Sequence, residues 1–138
     1  MKTYILCGVL SLAVYNAYAQ QNKTPAPVAA SFAKLFPGIT PKWEKENGNY
    51  EANFKTSGKE MSATFAADGT LKETETGIPA GDLPAAVKKY IAAHYKNAAI
   101  KEAARITRAD GMVNYEAEVN KRDVIFDADG NLIKEEKD

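Results

Sequence analysis

Cysteine is nearly missing from this chain. Among 138 residues there is one, Cys7, inside an apolar N-terminal run. Beyond that run the chain can form no disulfide, no thiolate metal site and no cysteine nucleophile. Histidine is as scarce, with His94 alone. No serine–aspartate pair is evident beside it, so a nucleophilic triad has no visible members. No glycine-rich phosphate loop and no cluster with metal-ligand spacing occurs, so the residues point to no catalytic centre, no cofactor and no metal. An excess of one charge is missing too. Eighteen basic residues balance eighteen acidic ones, without the basic stripe that nucleic acid requires. The longest apolar run is too short for a membrane span.

That run has the marks of a secretory signal peptide. Lys2 gives a positive start, Tyr4 to Val14 is largely apolar, and Ala17-Tyr18-Ala19 is a small-x-small cleavage site. Residues 1–19 are expected to be removed, so that the mature chain starts at Gln20 with one net negative charge, in the periplasm or outside the cell. A lipoprotein signal would place its cysteine at the end of the run behind small residues. Ile5-Leu6-Cys7 does not fit that pattern. With no disulfide available, stability must come from the core.

Residues 20–24 read as a polar leader. Thr24 is placed to cap a helix whose first turn holds Pro25. Val28, Phe32, Leu35 and Phe36 form one apolar helical face, and Pro37-Gly38 ends it. The period then changes to two. Lys42–Glu46, Tyr50–Lys55, Met61–Phe65 and Thr70–Thr76 read as four strands, with Asn47-Gly48, Thr56–Lys59 and Ala67-Asp68-Gly69 as turns. A second helix follows. Asp82 is its expected N-cap, Leu83-Pro84 opens it, and Val87, Ile91 and Tyr95 line its buried stripe. Four more strands are expected over about 100–107, 112–120, 122–127 and 131–136.

The two halves resemble each other. Pro25, Val28, Phe32 and Phe36 fall on Pro84, Val87, Ile91 and Tyr95 at an offset of 59. Tyr50-Glu51-Ala52 falls on Tyr115-Glu116-Ala117 at 65, and Phe65 with Ala67-Asp68-Gly69 falls on Phe126 with Ala128-Asp129-Gly130 at 61. The offset slips by +6 and then −4, and both slips are expected in turns, where length changes are tolerated. The reading is an α+β tandem repeat of two helix-plus-four-stranded antiparallel units, 25–77 and 78–138, forming one compact domain. Both helices are expected on one face of a continuous sheet. The helix-facing set is Tyr50, Ala52, Phe54, Ala63 and Phe65, with Tyr115, Ala117, Val119, Val124 and Phe126 as counterparts; Leu71 and Leu132 are expected there too. The other face is expected to stay wet and to carry Glu51, Asn53, Lys55, Ser62, Thr64, Glu116, Glu118 and Ile125.

Leu83-Pro84-Ala85-Ala86-Val87, Tyr95, Ile100-Lys101-Glu102-Ala103, Tyr115-Glu116-Ala117-Glu118-Val119 and Phe126-Asp127-Ala128-Asp129-Gly130 together resemble the PepSY-like proteins, also called beta-lactamase-inhibitor-like. Trp43-Glu44-Lys45 and Tyr50-Glu51-Ala52-Asn53-Phe54 match the same pattern in the first half, so the resemblance covers nearly all of 25–136. It implies tandem helix-plus-sheet units in an exported protein of Bacteroidetes-type bacteria, and a role in binding or inhibiting another protein. Inhibitors of the related two-unit fold use a concave sheet face and turn loops. They also carry disulfides, which this chain lacks. The resemblance supplies no catalytic residues.

Several residues need weighing individually. Asp127, Asp129 and Asn131 have the one-three-five spacing of a calcium loop, but Leu132 and Asp138 stand where such a loop needs glycine and a bidentate glutamate. The turn reading is preferred. His94 lies near a helix end and reads as structural. Glu116 with Glu118, and Glu73 with Glu75, are spaced for an acid/base pair, yet a solvated strand face has the same spacing. Trp43 is either a partner anchor or packing over a helix end. The function expected is a non-enzymatic exported binding module. Its partner would be another envelope or secreted protein, met on a face of Glu51, Asn53, Lys55, Glu116, Glu118 and Trp43. The alternatives are a carrier holding a small ligand between helices and sheet and, third, a hydrolase.

Overall fold

The computed structural model describes residues 23–137. The expected signal peptide lies outside the described residues, as does the start of the leader. The order of elements is α1 (Ala26–Leu35), β1 (Lys42–Glu46), β2 (Asn49–Thr56), β3 (Lys59–Phe65), β4 (Leu71–Gly77), α2 (Ala85–His94), β5 (Glu102–Arg108), β6 (Val113–Val119), β7 (Arg122–Asp127) and β8 (Leu132–Lys137). The fold is α+β. The strands form one antiparallel sheet in sequential order, β1 to β8.

The helices start and stop alike because the local chemistry is alike. Pro25 and Pro84 are the N-caps, extended at ψ 142° and 144°. A proline also bars the residue before it from helical geometry. Leu83 is therefore extended, and Asp82 ends a short 3-10 turn, Ala80–Asp82, instead of capping α2 as expected. Thr24 likewise gives α1 no side-chain cap. At the C-termini Phe36 and Tyr95 donate to the carbonyls of Phe32 and Ile91, at 2.8 Å each. Gly38 and Asn97 follow with positive φ, which glycine and asparagine tolerate best.

Val28 and Phe32 of α1 pack with Ala52, Phe54, Ala63 and Phe65. The Phe32 ring lies 5.1 to 6.4 Å from those of Phe36, Trp43, Phe54 and Phe65. Val87 and Ile91 of α2 pack with Leu83, Ala103, Ala117, Val119, Val124 and Phe126. The two clusters share no residue. Opposed residues on neighbouring strands share a face. Such partners run from Ala63, under α1, through Thr74 to Thr107. Thr107, Arg105 and Ala103 alternate onto that same side, and Ala103 lies under α2. Leu71 packs where expected. Leu132 does not, being 42% exposed at the start of an edge strand.

Phe65 pairs with Leu71 and Thr64 with Glu73, which leaves Lys72 as an extra residue in the ladder. Phe126 pairs with Leu132 and Ile125 with Lys134, which leaves Ile133 in the same position 61 residues later. The strands kink at matching places, as bulges require. The slip of −4 corrects one expectation. Tyr50 opposes Phe65 and Tyr115 opposes Phe126, so the second hairpin is shorter by four. The turns Ser57-Gly58 and Asn120-Lys121 each have two residues with positive φ. The loss therefore comes from the arms, two residues from each. An even change per arm keeps every side chain on its own face.

Three turns carry Ala-Asp-Gly: 67–69, 109–111 and 128–130. Each closes a three-residue hairpin loop with glycine in the left-handed region, at φ 89°, 85° and 88°. In each, the glycine N–H donates to the residue three before it, Ala66, Arg108 or Asp127. Two of the three also touch a helix. A Cβ at Gly69 would lie 2.6 Å from the Pro27 carbonyl oxygen and 2.9 Å from Ser31 Oγ, and one at Gly130 would strike Ala86 Cβ. At Gly111 nothing lies within 4 Å. The repeated motif is thus a turn and also a contact that seats the hairpin against the first turn of its helix.

Candidate functional site

The sheet face opposite the two hydrophobic clusters has an unexpected character. Glu51, Ser62, Thr64, Glu75, Asn114, Glu116, Glu118 and Asp123 are all buried there, with Glu75 at 5% exposure and Glu116 at 2%. Eight antiparallel strands twist and coil strongly, and two bulges add to the twist. The polar centre of this face is screened from water where an open, wet surface was expected.

The register assembles this centre. Glu51 on β2 opposes Thr64, which opposes Glu73 on β4, which opposes Arg108 on β5. One step along, Asn53, Ser62, Glu75, Ile106 and Asn114 form the next row. Then come Ala104, Glu116 and Ile125, and beyond them Glu102, Glu118 and Asp123. Glu118 thus lies between two acidic cross-strand neighbours, an unfavourable arrangement by itself. Lys101 relieves it, with Nζ 3.0 Å from Glu118 Oε1 and its backbone N–H on the Glu118 carbonyl. At the rim Lys55 pairs with Glu60 at 3.0 Å.

Burial and neighbouring charge act together on the central carboxyls. Burial pushes Glu75 well above the ordinary carboxylate range, and Glu116, Glu51, Glu73 and Asp123 push it further. Glu73 is raised by burial, while Arg108, Lys134 and Lys72 pull it back. This environment holds a proton at a pH where an exposed carboxyl would have lost it, and it favours incoming positive charge.

Glu51, Asn53, Lys55, Glu116 and Glu118 do share this face, as the alternation predicts. Trp43 does not. Its cross-strand partner is Ala52, and its ring packs against Phe32 and Phe65 beneath α1. Its packing alternative applies, because an odd position in β1 faces the helix side. Glu75, Glu73 and Asp123 were outside the expected face set. Alternation alone puts Glu73 and Glu75 on it, and β4, the fourth of eight strands, puts them near its centre.

The remaining candidates have structural explanations. Asp127 Oδ1 accepts the backbone N–H groups of Asp129 and Asn131, and Oδ2 accepts from Asn131 Nδ2. Its oxygens are committed to closing the turn, and these donors hold its carboxyl below the ordinary range. Asp68 and Asp110 accept the N–H groups of Thr70 and Met112 in the same way. His94 stacks on Tyr90 at 3.9 Å, with Nδ1 2.9 Å from the Tyr90 carbonyl. Between helices and sheet, where a carrier would hold its ligand, lie the side chains of the two clusters.

Residues 48–134 match the family described as putative beta-lactamase-inhibitor-like, PepSY-like. Three solved structures are similar over most of their length. A putative periplasmic protein of Bacteroides eggerthii is 18% identical, over 82% of this chain and 88% of that one, with a TM-score of 0.73. A DUF2874 family protein of Bacteroides uniformis is 20% identical over 80% and 87%, with a TM-score of 0.71. A BLIP-like protein of Bacteroides fragilis is 24% identical over 81% and 85%, with a TM-score of 0.63. At these identities the likeness is one of fold. No curated protein matches the chain at a significant level.

Proposed function

The chain belongs to the PepSY-like, beta-lactamase-inhibitor-like family, and from that premise we propose a non-enzymatic exported binding module whose polar sheet face grips a segment of another envelope or secreted protein. The observation that carries this reading is the acidic, water-screened centre of the face, built from Glu51, Glu75, Glu116, Glu118 and Asp123. Burying such carboxylates together on one face costs stability, because like charges are brought together out of water. A binding role offsets that cost, since a basic segment entering the face restores charge balance. Asn53 and Lys55 supply hydrogen-bonding and charged groups toward the rim.

The chain is also read as a duplicated unit with both helices against one side of the sheet. Supporting this are the matched helix ends, the matched bulges and the matched glycine contacts. Duplication doubles the sheet, and a sheet of this width can curve into a grip that four strands cannot make. Export rests on the N-terminal sequence. No helix among the described residues is long and apolar enough to cross a membrane. For a non-enzymatic role, the support is that the lone histidine sits on α2, engaged with Tyr90.

The test is a cross-linking pull-down from envelope extract, using the wild-type chain and the isosteric Glu51→Gln/Glu118→Gln variant. The expected result is a specific protein whose cross-links map to β2, β4 and β6. Neutralisation should weaken its capture about tenfold, and added salt should weaken it as well. Cross-links confined to the helix side, or capture indifferent to both variant and salt, would refute the proposal.

A further inference from the structure

The halves meet along one strand ladder. Among the described residues, β4 and β5 are the only paired strands that link the first four strands to the last four. Their ladder runs from Glu73 opposite Arg108 to Gly77 opposite Ala104. The hydrophobic clusters lie on either side of it without a shared residue. Parting this ladder would leave each helix on its own four strands.

Glu75 stands at the middle of that ladder on the polar face. Its cross-strand neighbours, Ser62 on β3 and Ile106 on β5, bring no charge. Carboxylates reach it from both halves: Glu51 on β2 and Glu73 on its own strand, Glu116 on β6 and Asp123 on β7. Arg108, Lys134 and Lys72 lower Glu73, and Lys101 pairs with Glu118. The acidic groups of the two halves thus meet across the seam with Glu75 between them.

We propose that this seam is a pH-sensitive joint: a proton on Glu75 lets the carboxylates of the two halves share one face, and its loss loosens the pairing of β4 with β5. The direction follows from linkage. Burial and four negative neighbours make the folded chain hold the Glu75 proton more tightly than the unfolded chain, whose carboxyl has its ordinary value of 4.5. The unfolded state therefore releases its proton first as pH rises. The stability tied to this group is complete below 4.5 and declines as pH climbs through the higher folded value. Each half alone is of marginal size, so the decline appears first as local opening at the seam.

The test uses the mature chain without its signal peptide. Side-chain carboxyl resonances are followed by carbon NMR from about pH 4 to about pH 10, a range bracketing ordinary and strongly raised carboxyls. One glutamate is expected to titrate far above the rest and to vanish in Glu75→Gln. In parallel, hydrogen-exchange protection is corrected for intrinsic rate. Between 4.5 and the folded value it should fall by up to about tenfold per pH unit at the amides of β4 and β5, and it should level off above the folded value. Protection in β2–β3 and β6–β7 should hold, and Glu75→Gln should remove the pH dependence. A Glu75 carboxyl that titrates with the exposed glutamates, or protection lost equally in all strands, would overturn the proposal. If Glu75→Gln does not fold, titration and exchange of the wild-type chain decide alone.

Discussion

Replacing each Ala-Asp-Gly glycine with alanine separates two costs that usually come together. Gly69, Gly111 and Gly130 occupy the same loop position with nearly the same φ, so the added methyl group meets the same backbone strain in each. An L-residue in the left-handed region costs about 1–2 kcal/mol. The stiffer unfolded chain returns about 0.4–1 kcal/mol. At Gly111 nothing lies within 4 Å, and a net loss of about 1 kcal/mol is expected. At Gly69 the methyl would also sit 2.6 Å from the Pro27 carbonyl oxygen. That oxygen belongs to the first turn of α1 and cannot swing aside as a side chain would. Overpacking of this kind adds about 1–3 kcal/mol, for a total of about 2–4 kcal/mol. At Gly130 the obstacle is Ala86 Cβ, short and equally fixed, and a loss similar to that at Gly69 is expected. A domain of this size loses about 4 °C in Tm per kcal/mol. Thermal and urea unfolding should therefore show a drop of about 4 °C for Gly111→Ala and about 8–16 °C for Gly69→Ala and Gly130→Ala. Equal losses at all three positions would mean that the hairpins do not rest on the helices.

Two other predictions concern turns. The Asn120-Lys121 turn needs positive φ at both residues, and Lys121 adopts φ 58° without glycine's freedom; Lys121→Gly should stabilise the chain by up to about 1 kcal/mol in urea unfolding, and a loss would show that the Lys121 side chain contributes packing. Asp127 is held below the ordinary carboxylate value of 3.8, first by the Asn131 side chain. The stability linked to it is therefore present above 3.8 and declines as pH falls through the lower folded value. Asn131→Ala should return the carboxyl toward its ordinary range by carbon NMR, and calcium should leave the wild-type Tm unchanged. A rise in Tm with calcium would refute the turn assignment.

How much could be read from residues alone depended on the length scale. The i, i+4 stripes of Val28 with Phe32 and Val87 with Ile91 identified both helices, because burial on a helix follows a fixed angular period. Alternation assigned Glu51, Asn53 and Glu116 to one face and Ala52, Phe54 and Ala117 to the other, because a strand has only two sides. Screening from water has no such period. Glutamates on a wet face and glutamates on a screened one have the same spacing, so the burial of Glu75 and Glu116 left no local mark. Asp82 misled because its favourable capping chemistry was overruled one residue later by the restriction Pro84 places on Leu83. The contact of Gly69 with Pro27 was hidden for another reason. The turn already accounted for the glycine, and nothing local announced that a helix would come to rest on it.

The shortened second hairpin has a consequence for how such chains can vary. Because the arms changed by two residues each, inner and outer side chains kept their assignments, and the greasy side of β6 and β7 still meets α2. Dropping one residue per arm would turn Ala117 and Val124 outward and send Glu116 and Ile125 beneath the helix. Arm length in this sheet therefore changes by two residues on each side, and an odd residue is taken up by a bulge such as that at Lys72 or Ile133 or by a longer turn such as 109–111.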